Sequence, residues 1–285
     1  MSQERGQEFL AQLPTLGQDL PYDPSLLQQL FAQTSDDSMS SMDDIAETIS
    51  HDPGLTAKVL AIANSAYYGL QAEVTSVSRA MAVLGMNEIR TLVLALGVKA
   101  LSTGLDEDLL DLDAFWLHGV LTGAICRILA KPLGLDADDL FTAGMLHDVG
   151  KLITAMHRPD DWRAATDMAE SEDIPIHLAE QRHWGLEHSL IGSMTLSAWF
   201  LPPQLTEPVS WHHSPENAPA YVLEAKALSL ANLLANHLDD PDESEQAPWR
   251  LLMDDLGLDQ ADILEQVHEA AADEGHRQLM DLLSA

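Results

Sequence analysis

Residues 143–152 read AGMLHDVGKL and place an adjacent histidine and aspartate, His147 and Asp148, inside an almost entirely apolar run. We predict one central helix from Leu140 to about Met156, because this segment is apolar nearly all round. A buried charge must be paired or coordinated. Imidazole and carboxylate together suit Fe, Mn, Zn or Mg, so the pair indicates a metal site. The alternative is a hydrogen-bonded core histidine with an aspartate at a helix contact.

The chain is strongly acidic. Its 285 residues include 46 acidic and 14 basic side chains, which gives a formal net charge of −32. Such a surface repels phosphate backbones and anionic headgroups, so we expect neither nucleic acid nor an anionic membrane as a direct partner. Solubility, or adaptation to a salty cytoplasm, is the simpler explanation of the charge. The segment from Asp239 to Ala285 holds 14 of the acidic residues and only two arginines.

Cysteine content and apolar patterning bear on the compartment. Cys126 is the single cysteine, which excludes an intrachain disulfide and favours a reducing compartment. The N-terminus lacks the basic region and apolar run of a secretory signal. The longest apolar stretch, around residues 91–101, is shorter than the ~20 residues that cross a bilayer. We therefore expect a cytoplasmic protein.

Apolar residues recur at spacings of three and four almost throughout, which predicts an all-α protein. Asp52 with Pro53, and Asn87, are predicted to begin helices, and Gly85 to end one. Further helices are predicted at 115–130, 176–184, 187–200, 203–213 and 222–238. The acidic turn at 106–113 carries five acidic residues and no basic one, so we place a junction there.

Three parts follow from this junction and from the polar stretch that begins at residue 239. They are an N-terminal helical subdomain at 1–105, a second helical subdomain at 106–238, and an acidic linker with C-terminal helices at 239–285. Two amphipathic helices are predicted between Trp249 and Ala285. The length also favours about two domains.

Histidines are concentrated in the second part, where eight of the 12 fall within 118–213. His118 and His188 each share the apolar stripe of a predicted helix, and His212 and His213 lie at the end of another. Any one of them alone is more often a core or surface histidine than a ligand. Their order along the chain, around the His147 motif, favours a shared site.

This combination resembles the HDOD domain, a bacterial signal-output module of the HD superfamily that is related to the HD-GYP metal-dependent phosphohydrolases. The motifs that carry the resemblance are LPTL at 13–16, ISHDPGLTAKVLAIANSAYYG at 49–69, VSRAMAVLGMNEIRTLVLAL at 77–96, FWLHG at 115–119, AGMLHDVGKL at 143–152, EQRHWGLEHSLIGSMTLSAWFLP at 180–202, the histidines at 212 and 213, and ALSLAN at 227–232. They cover about residues 10–238. The resemblance implies that the second subdomain is an HD-like helical bundle.

The resemblance also implies a set of site residues. The implied metal ligands are His118, His147 and Asp148, with His188, His212 and His213 for a second metal. Lys151 matches a lysine that approaches substrate phosphate in such relatives, where it would offset charge on the phosphate oxygens. A divalent metal, Fe, Mn, Mg or Zn, is thereby implied, and it would lower the pKa of a bridging water.

Carboxylates are missing at two positions of this pattern. Asn232 stands where the closing aspartate is expected, and Ala114 lies four residues before His118, where metal-binding relatives often have a carboxylate. SPENAPA follows His213 in place of a Gly-Tyr-Pro signature. An amide oxygen coordinates a metal but brings no negative charge, so we expect weaker metal binding and partial occupancy.

Two functions remain open. The first is a regulatory module that acts through signalling protein partners or a small phosphate-containing ligand, without catalysis. The second is a metal-dependent phosphohydrolase acting on a nucleotide or cyclic dinucleotide. A further hypothesis is that residues 249–285 cover the pocket, or form a partner or dimer surface. For Asn64 and Ser65, at a predicted helix end, we favour a structural role.

Overall fold

The computed structural model describes residues 2–16, 29, 30, 33, 38–70, 73–101, 105, 106, 108–199, 201–239 and 247–284. The regular secondary structure in these ranges is helical and includes no strand, which confirms the all-α prediction. The predicted acidic linker falls almost entirely on residues 240–246, outside the described ranges.

Among the described residues, five helices with given bounds form the N-terminal part. They are α1 (Ser2–Leu16), α2 (Met42–Ser50), α3 (Pro53–Ala63), α4 (Val77–Leu84) and α5 (Met86–Leu101). The Asp52 side chain accepts from the Leu55 N–H at 2.9 Å and so caps α3, as its position before Pro53 predicts. Gly85, with φ 87°, ends α4. The predicted cap at Asn87 is wrong by two residues: α5 begins at Met86, and the Ile89 N–H donates to the carbonyl of Gly85, which holds the cap position.

Asn64 fixes the end of α3. Its side-chain amide donates to the carbonyls of Leu60 and Val74 at 2.9 and 2.8 Å, and its oxygen accepts from the Val74 N–H at 2.7 Å. These bonds satisfy backbone groups that a helix end leaves open. The structural role predicted for Asn64 is therefore confirmed.

The described residues in the middle of the chain form eight α-helices and one short turn. They are α6 (Leu112–Leu133), α7 (Ala137–Leu146), α8 (Val149–His157), α9 (Pro159–Glu172), α10 (Ile176–Trp184), α11 (His188–Ala198), α12 (Pro203–Trp211), the 3-10 turn Pro215–Asn217 and α13 (Val222–Asp239). The prediction of one helix from Leu140 to Met156 is wrong. The backbone leaves helical geometry at Asp148 (φ −94°, ψ 6°), which separates α7 from α8. Apolar residues continue on both sides, so periodicity gives no sign of the break.

Residues 247–284, the described range of the C-terminal part, form three helices where two are predicted. They are α14 (Pro248–Asp255), α15 (Gln260–Ala272) and α16 (Glu274–Ser284). Gly257 follows α14 with φ 67°. Asp273, in extended conformation (φ −68°, ψ 122°), divides the last amphipathic stretch into α15 and α16. α14 packs on α13, whereas α15 and α16 pack on α6.

The parts of the chain are joined by specific contacts. Phe9 of α1 stacks on Trp184 of α10 with ring centroids 5.5 Å apart, so α1 packs beyond the predicted boundary at residue 105. Arg127 of α6 donates to the Tyr67 hydroxyl at 2.7 Å and pairs with Glu88 of α5. These contacts connect the N-terminal helices to the middle of the chain, and the boundary at 105 stays a prediction.

Helix α6 is a core helix. By length and composition alone it could cross a bilayer, a property that the sequence analysis overlooked by taking 91–101 as the longest apolar stretch. Half of its most apolar window is buried, and it packs against α7, α13, α15 and α16. Cys126 on this helix is fully buried, and burial raises the pKa of its thiol, which disfavours the reactive thiolate.

Glycines allow α6 and α7 to touch. A Cβ atom added to Gly144 would lie 2.8 Å from the Gly123 Cα, and one added to Gly119 would lie 2.8 Å from the Met145 carbonyl oxygen. The neighbouring atoms are backbone, which yields little. This close approach matters for the site, because His118 directly precedes Gly119 and His147 lies three residues after Gly144.

We expect Gly144→Ala to lower the free energy of unfolding by about 1–3 kcal/mol, because the added methyl group forces the two helix backbones apart. Denaturant unfolding measures the change. Gly54→Ala is the matched control, since its Cβ would meet only a side-chain oxygen of Asp52, at 3.2 Å. Equal stabilities of the two variants would contradict this packing.

Candidate metal centre

Helix ends bring the predicted ligands together. His147 follows α7, Asp148 precedes α8, and His188 is the first residue of α11. His212 and His213 directly follow α12. His118 comes from α6 and Asn232 from α13. The ring centroids of His147 and His212 are 5.0 Å apart, and those of His118 and His147 are 5.1 Å apart.

His147 and His212 are held in matching ways. The Nδ1 atom of His147 lies 2.8 Å from the Gly144 carbonyl oxygen, and that of His212 lies 2.8 Å from the Val209 carbonyl oxygen. An Nδ1–H that donates to a carbonyl leaves the Nε2 lone pair available. Both Nε2 atoms are buried and have no hydrogen-bond partner among the described residues. Burial lowers the pKa of His147 to about 4 and holds that of His212 well below its ordinary value, so both rings are neutral at neutral pH.

The Asp148 carboxylate lies at the centre of the cluster. Its Oδ2 atom is 2.5 Å from the Lys151 Nζ and 3.4 Å from the His147 Nε2, and its Oδ1 atom is 3.2 Å from the His188 Nε2. The His118 Nε2 is 3.8 Å from Oδ2. Burial opposes ionisation, but His147 and Lys151 hold the pKa of this carboxyl well below its ordinary value. Asp148 is therefore an anion.

Glu180, which the sequence analysis missed, orients His188. The Glu180 Oε2 atom accepts from the His188 backbone N–H at 2.9 Å and lies 2.7 Å from its Nδ1 atom. Both side chains are completely buried. Burial disfavours a charged ring here, but Glu180 and the hydrogen bond to Asp148 raise the pKa of His188 to about 9. The His188 Nε2 thereby faces Asp148 and His213, with 3.0 Å to the His213 Nε2.

His177 is the second residue that was missed. Its ring stacks on His213 with centroids 4.0 Å apart and an interplanar angle of 15°. Burial and the neighbouring His212 lower the pKa of His213 below its ordinary value, so this ring is neutral too. Since His177 and Glu180 are three residues apart on α10, helical spacing places them on one face toward the cluster.

Close backbone contact places α8 beside α11. A Cβ atom added to Gly150 would lie 1.9 Å from the His188 carbonyl oxygen and 2.7 Å from the Gly192 N. Only glycine fits at such a distance. The Asp148–Gly150 segment and the first turn of α11 are thus held in fixed relation, which positions His188 against Asp148.

Asn232 of α13 lies beside His118 at the edge of the cluster and carries no charge. Its Oδ1 atom is 3.1 Å from the His118 Nε2 and also accepts from the Asn236 side-chain amide at 3.1 Å. Ala114, the other position without a carboxylate, is exposed one turn before His118. Asp148 is therefore the one carboxylate among the predicted ligands.

The residues present fit a divalent cation. Two groups have ligand atoms within 4.8 Å of one another, His118 with His147 and Asp148, and His188 with His212 and His213. The unpartnered Nε2 atoms of His147 and His212 are the observation that favours a metal, since buried polar atoms normally have partners. Five imidazoles with one carboxylate suit Zn, Fe or Mn better than Mg, which prefers oxygen ligands.

A cavity of about 510 Å³ opens beside His212 and His213. Ser229 and Asn232 of α13 form part of its wall, and Leu251 and Leu252 of α14 form another part. Two of the predicted ligands, His212 and His213, thus border a space of small-molecule size. One helix of the C-terminal part, α14, lies at the pocket, as one of the hypotheses for this segment expects.

The HDOD domain model matches residues 20–215. This chain belongs to the HDOD domain family. A curated relative in Treponema pallidum (strain Nichols), an uncharacterized protein, is 26% identical over 237 residues, which cover 82% of this chain. The chain spans only 45% of that relative's length.

Solved structures share the fold. A candidate phosphohydrolase from Shewanella amazonensis SB2B is 28% identical, with a TM-score of 0.77 over 96% of this chain and 98% of its own. A candidate signal transduction protein from Marinobacter aquaeolei VT8 is 22% identical, with a TM-score of 0.76 over 94% of this chain and 60% of its own. An HDOD domain protein with unknown function from Geobacter sulfurreducens is 21% identical, with a TM-score of 0.67 over 88% and 93% of the two chains.

We expect Glu180→Gln to raise the dissociation constant for Mn²⁺ by about 10–100-fold, because the charge that orients His188 is lost. Isothermal titration calorimetry measures the constant, and circular dichroism checks the fold. Glu172→Gln, which removes the same charge from an exposed pair with Arg182, serves as the control. Unchanged Mn²⁺ affinity in a folded Glu180→Gln protein would argue against this role of Glu180.

Proposed function

We propose that this chain is a regulatory module of bacterial signal transduction that binds a divalent metal in the histidine pocket and acts through a bound ligand or protein partner, without turnover. The observation that carries the proposal is the pair of buried, unpartnered Nε2 atoms of His147 and His212 beside a single carboxylate, Asp148. These two nitrogen atoms can coordinate a metal. The shortage of carboxylates argues against a complete catalytic pair of metals.

Charge supports the non-catalytic part of the proposal. Each divalent cation brings two positive charges, and Asp148 alone offers a negative charge among the predicted ligands. Lys151 already lies 2.5 Å from the Asp148 Oδ2 and offsets part of that charge. A bound cation would attract an anionic group such as phosphate and lower the pKa of a coordinated water. Asn232 contributes an amide oxygen and no charge to this balance.

The names of two similar structures point in different directions. The Marinobacter aquaeolei VT8 structure bears a signal-transduction name and the Shewanella amazonensis SB2B structure a phosphohydrolase name. The net charge of −32 disfavours nucleic acid and anionic membranes as partners. We therefore propose a signalling protein or a small phosphate-containing molecule as partner, in the cytoplasm.

The second candidate is a metal-dependent phosphohydrolase acting on a nucleotide or cyclic dinucleotide. Lys151 favours it, because its ammonium group lies at the cluster, where it would approach a phosphate. The Shewanella amazonensis SB2B name points the same way. The two candidate functions differ in whether the protein hydrolyses a phosphate ester.

The turnover assay distinguishes them. Purified protein supplied with Mn²⁺, Fe²⁺ or Mg²⁺ is expected to hydrolyse neither phosphomonoesters nor cyclic dinucleotides, whereas it binds Mn²⁺. Metal-dependent turnover that disappears in a folded His147→Ala variant would overturn the regulatory proposal and establish the enzyme.

We expect Asn232→Asp to tighten Mn²⁺ binding by at least about tenfold, because it adds a negative charge 3.1 Å from His118. Asn217→Asp is the control, since it makes the same change at an exposed position outside the cavity lining. Calorimetry measures both. Equal effects in the two variants would show that Asn232 is not at the metal.

A further inference from the structure

Helix α14 forms a wall of the pocket although it lies outside the family match. The HDOD model ends at residue 215, whereas α14 spans Pro248–Asp255. Leu251 and Leu252 of this helix line the same cavity as His212 and His213. The wall therefore comes from a part of the chain that the family model does not cover.

The wall is firmly anchored. Trp249 and Met253 are 2% and 0% exposed, and the Trp249 ring lies 4.8 Å from the ring of His237 on α13. Lys226 of α13 pairs with Asp255 of α14 at 2.5 Å. Because Trp249 and Met253 share one face of the helix, Leu251 lies on the other. α14 is thus held in place independently of any ligand.

Leu251 stands exposed on the wall of the cavity. It remains 55% exposed while its neighbours at 249 and 253 are buried. An exposed leucine alone is ordinary, but here Leu252 and Leu233 join it on the wall of one cavity. The cavity, of about 510 Å³, falls within the range of small-molecule sites, which combine apolar walls with a few polar groups.

The polar side of the cavity is made by the histidines. His212, His213 and His177 lie there, with Ser229 and Asn232 nearby. Glu216, Lys226 and Asp255 also line the cavity, and because Lys226 pairs with Asp255, these three side chains together add one negative charge. An anionic group therefore needs the cation that the cluster is proposed to hold, and it would bind at the histidine end.

We infer that the pocket takes a phosphate-type anion that carries an apolar, ring-sized group, with the anion at the histidine end and the ring on Leu251 and Leu252. This inference rests on the proposed function and adds the class of ligand. The histidine end selects for charge, and the α14 wall selects for the apolar group. A polar or bare phosphate would leave the leucines in contact with water.

Two non-hydrolysable probes separate these contributions. Methylphosphonate and phenylphosphonate carry the same anionic group and differ in the size of the apolar part. With Mn²⁺-loaded protein, calorimetry is expected to show phenylphosphonate binding about tenfold more tightly, because the ring buries apolar surface.

Leu251→Asn is expected to remove most of this preference. Since Leu251 is exposed, the variant should fold. Leu223→Asn is the control, because Leu223 is another exposed leucine and lies outside the cavity lining. This variant should keep the preference for phenylphosphonate.

Each outcome is informative. If methylphosphonate binds only with Mn²⁺ present and phenylphosphonate binds no more tightly, the inference fails and the proposed function stands. If the preference survives in Leu251→Asn, the ring lies elsewhere and the inference also fails. If neither probe binds to the Mn²⁺-loaded protein, the inference fails together with the phosphate-ligand form of the proposed function.

Discussion

The Asp148 carboxylate lies among Lys151, His147, His118 and His188, with its nearest contact, to the Lys151 Nζ, at 2.5 Å. A buried anion must be compensated, and here the compensation comes from three helices and the turn between α7 and α8. The glycine contacts between α6 and α7 and between α8 and α11 allow these groups to approach. Packing and charge are therefore linked: the backbones must touch for the carboxylate to be surrounded.

Much of the fold could be predicted because its signals are local. Helix α10 has the predicted bounds, Ile176–Trp184, and Gly85 ends α4 as expected. The break between α7 and α8 could not be predicted from periodicity, since Val149 and Leu152 continue the apolar pattern after Asp148. The break at Asp273 could not be predicted for the same reason, because the amphipathic pattern continues from α15 into α16.

The histidines and Asp148 could be proposed from their order in the chain, and the structure brings them together. Glu180 and His177 could not be proposed in the same way, because their role depends on a tertiary contact across the turn between α10 and α11. On α10 their spacing of three residues was the available signal. The α14 wall lies beyond the family motifs, so only packing reveals that Leu251 and His212 share a cavity.

The account depends on whether His147, His212 and Asp148 hold a metal. Anomalous diffraction at the manganese edge, from crystals grown with Mn²⁺, tests this directly. The account predicts an anomalous peak bonded to the Asp148 carboxylate and the His147 Nε2, which disappears in crystals of the Asp148→Asn variant. A well-ordered pocket with no peak under these conditions would contradict it, because the unpartnered Nε2 atoms would then have another explanation.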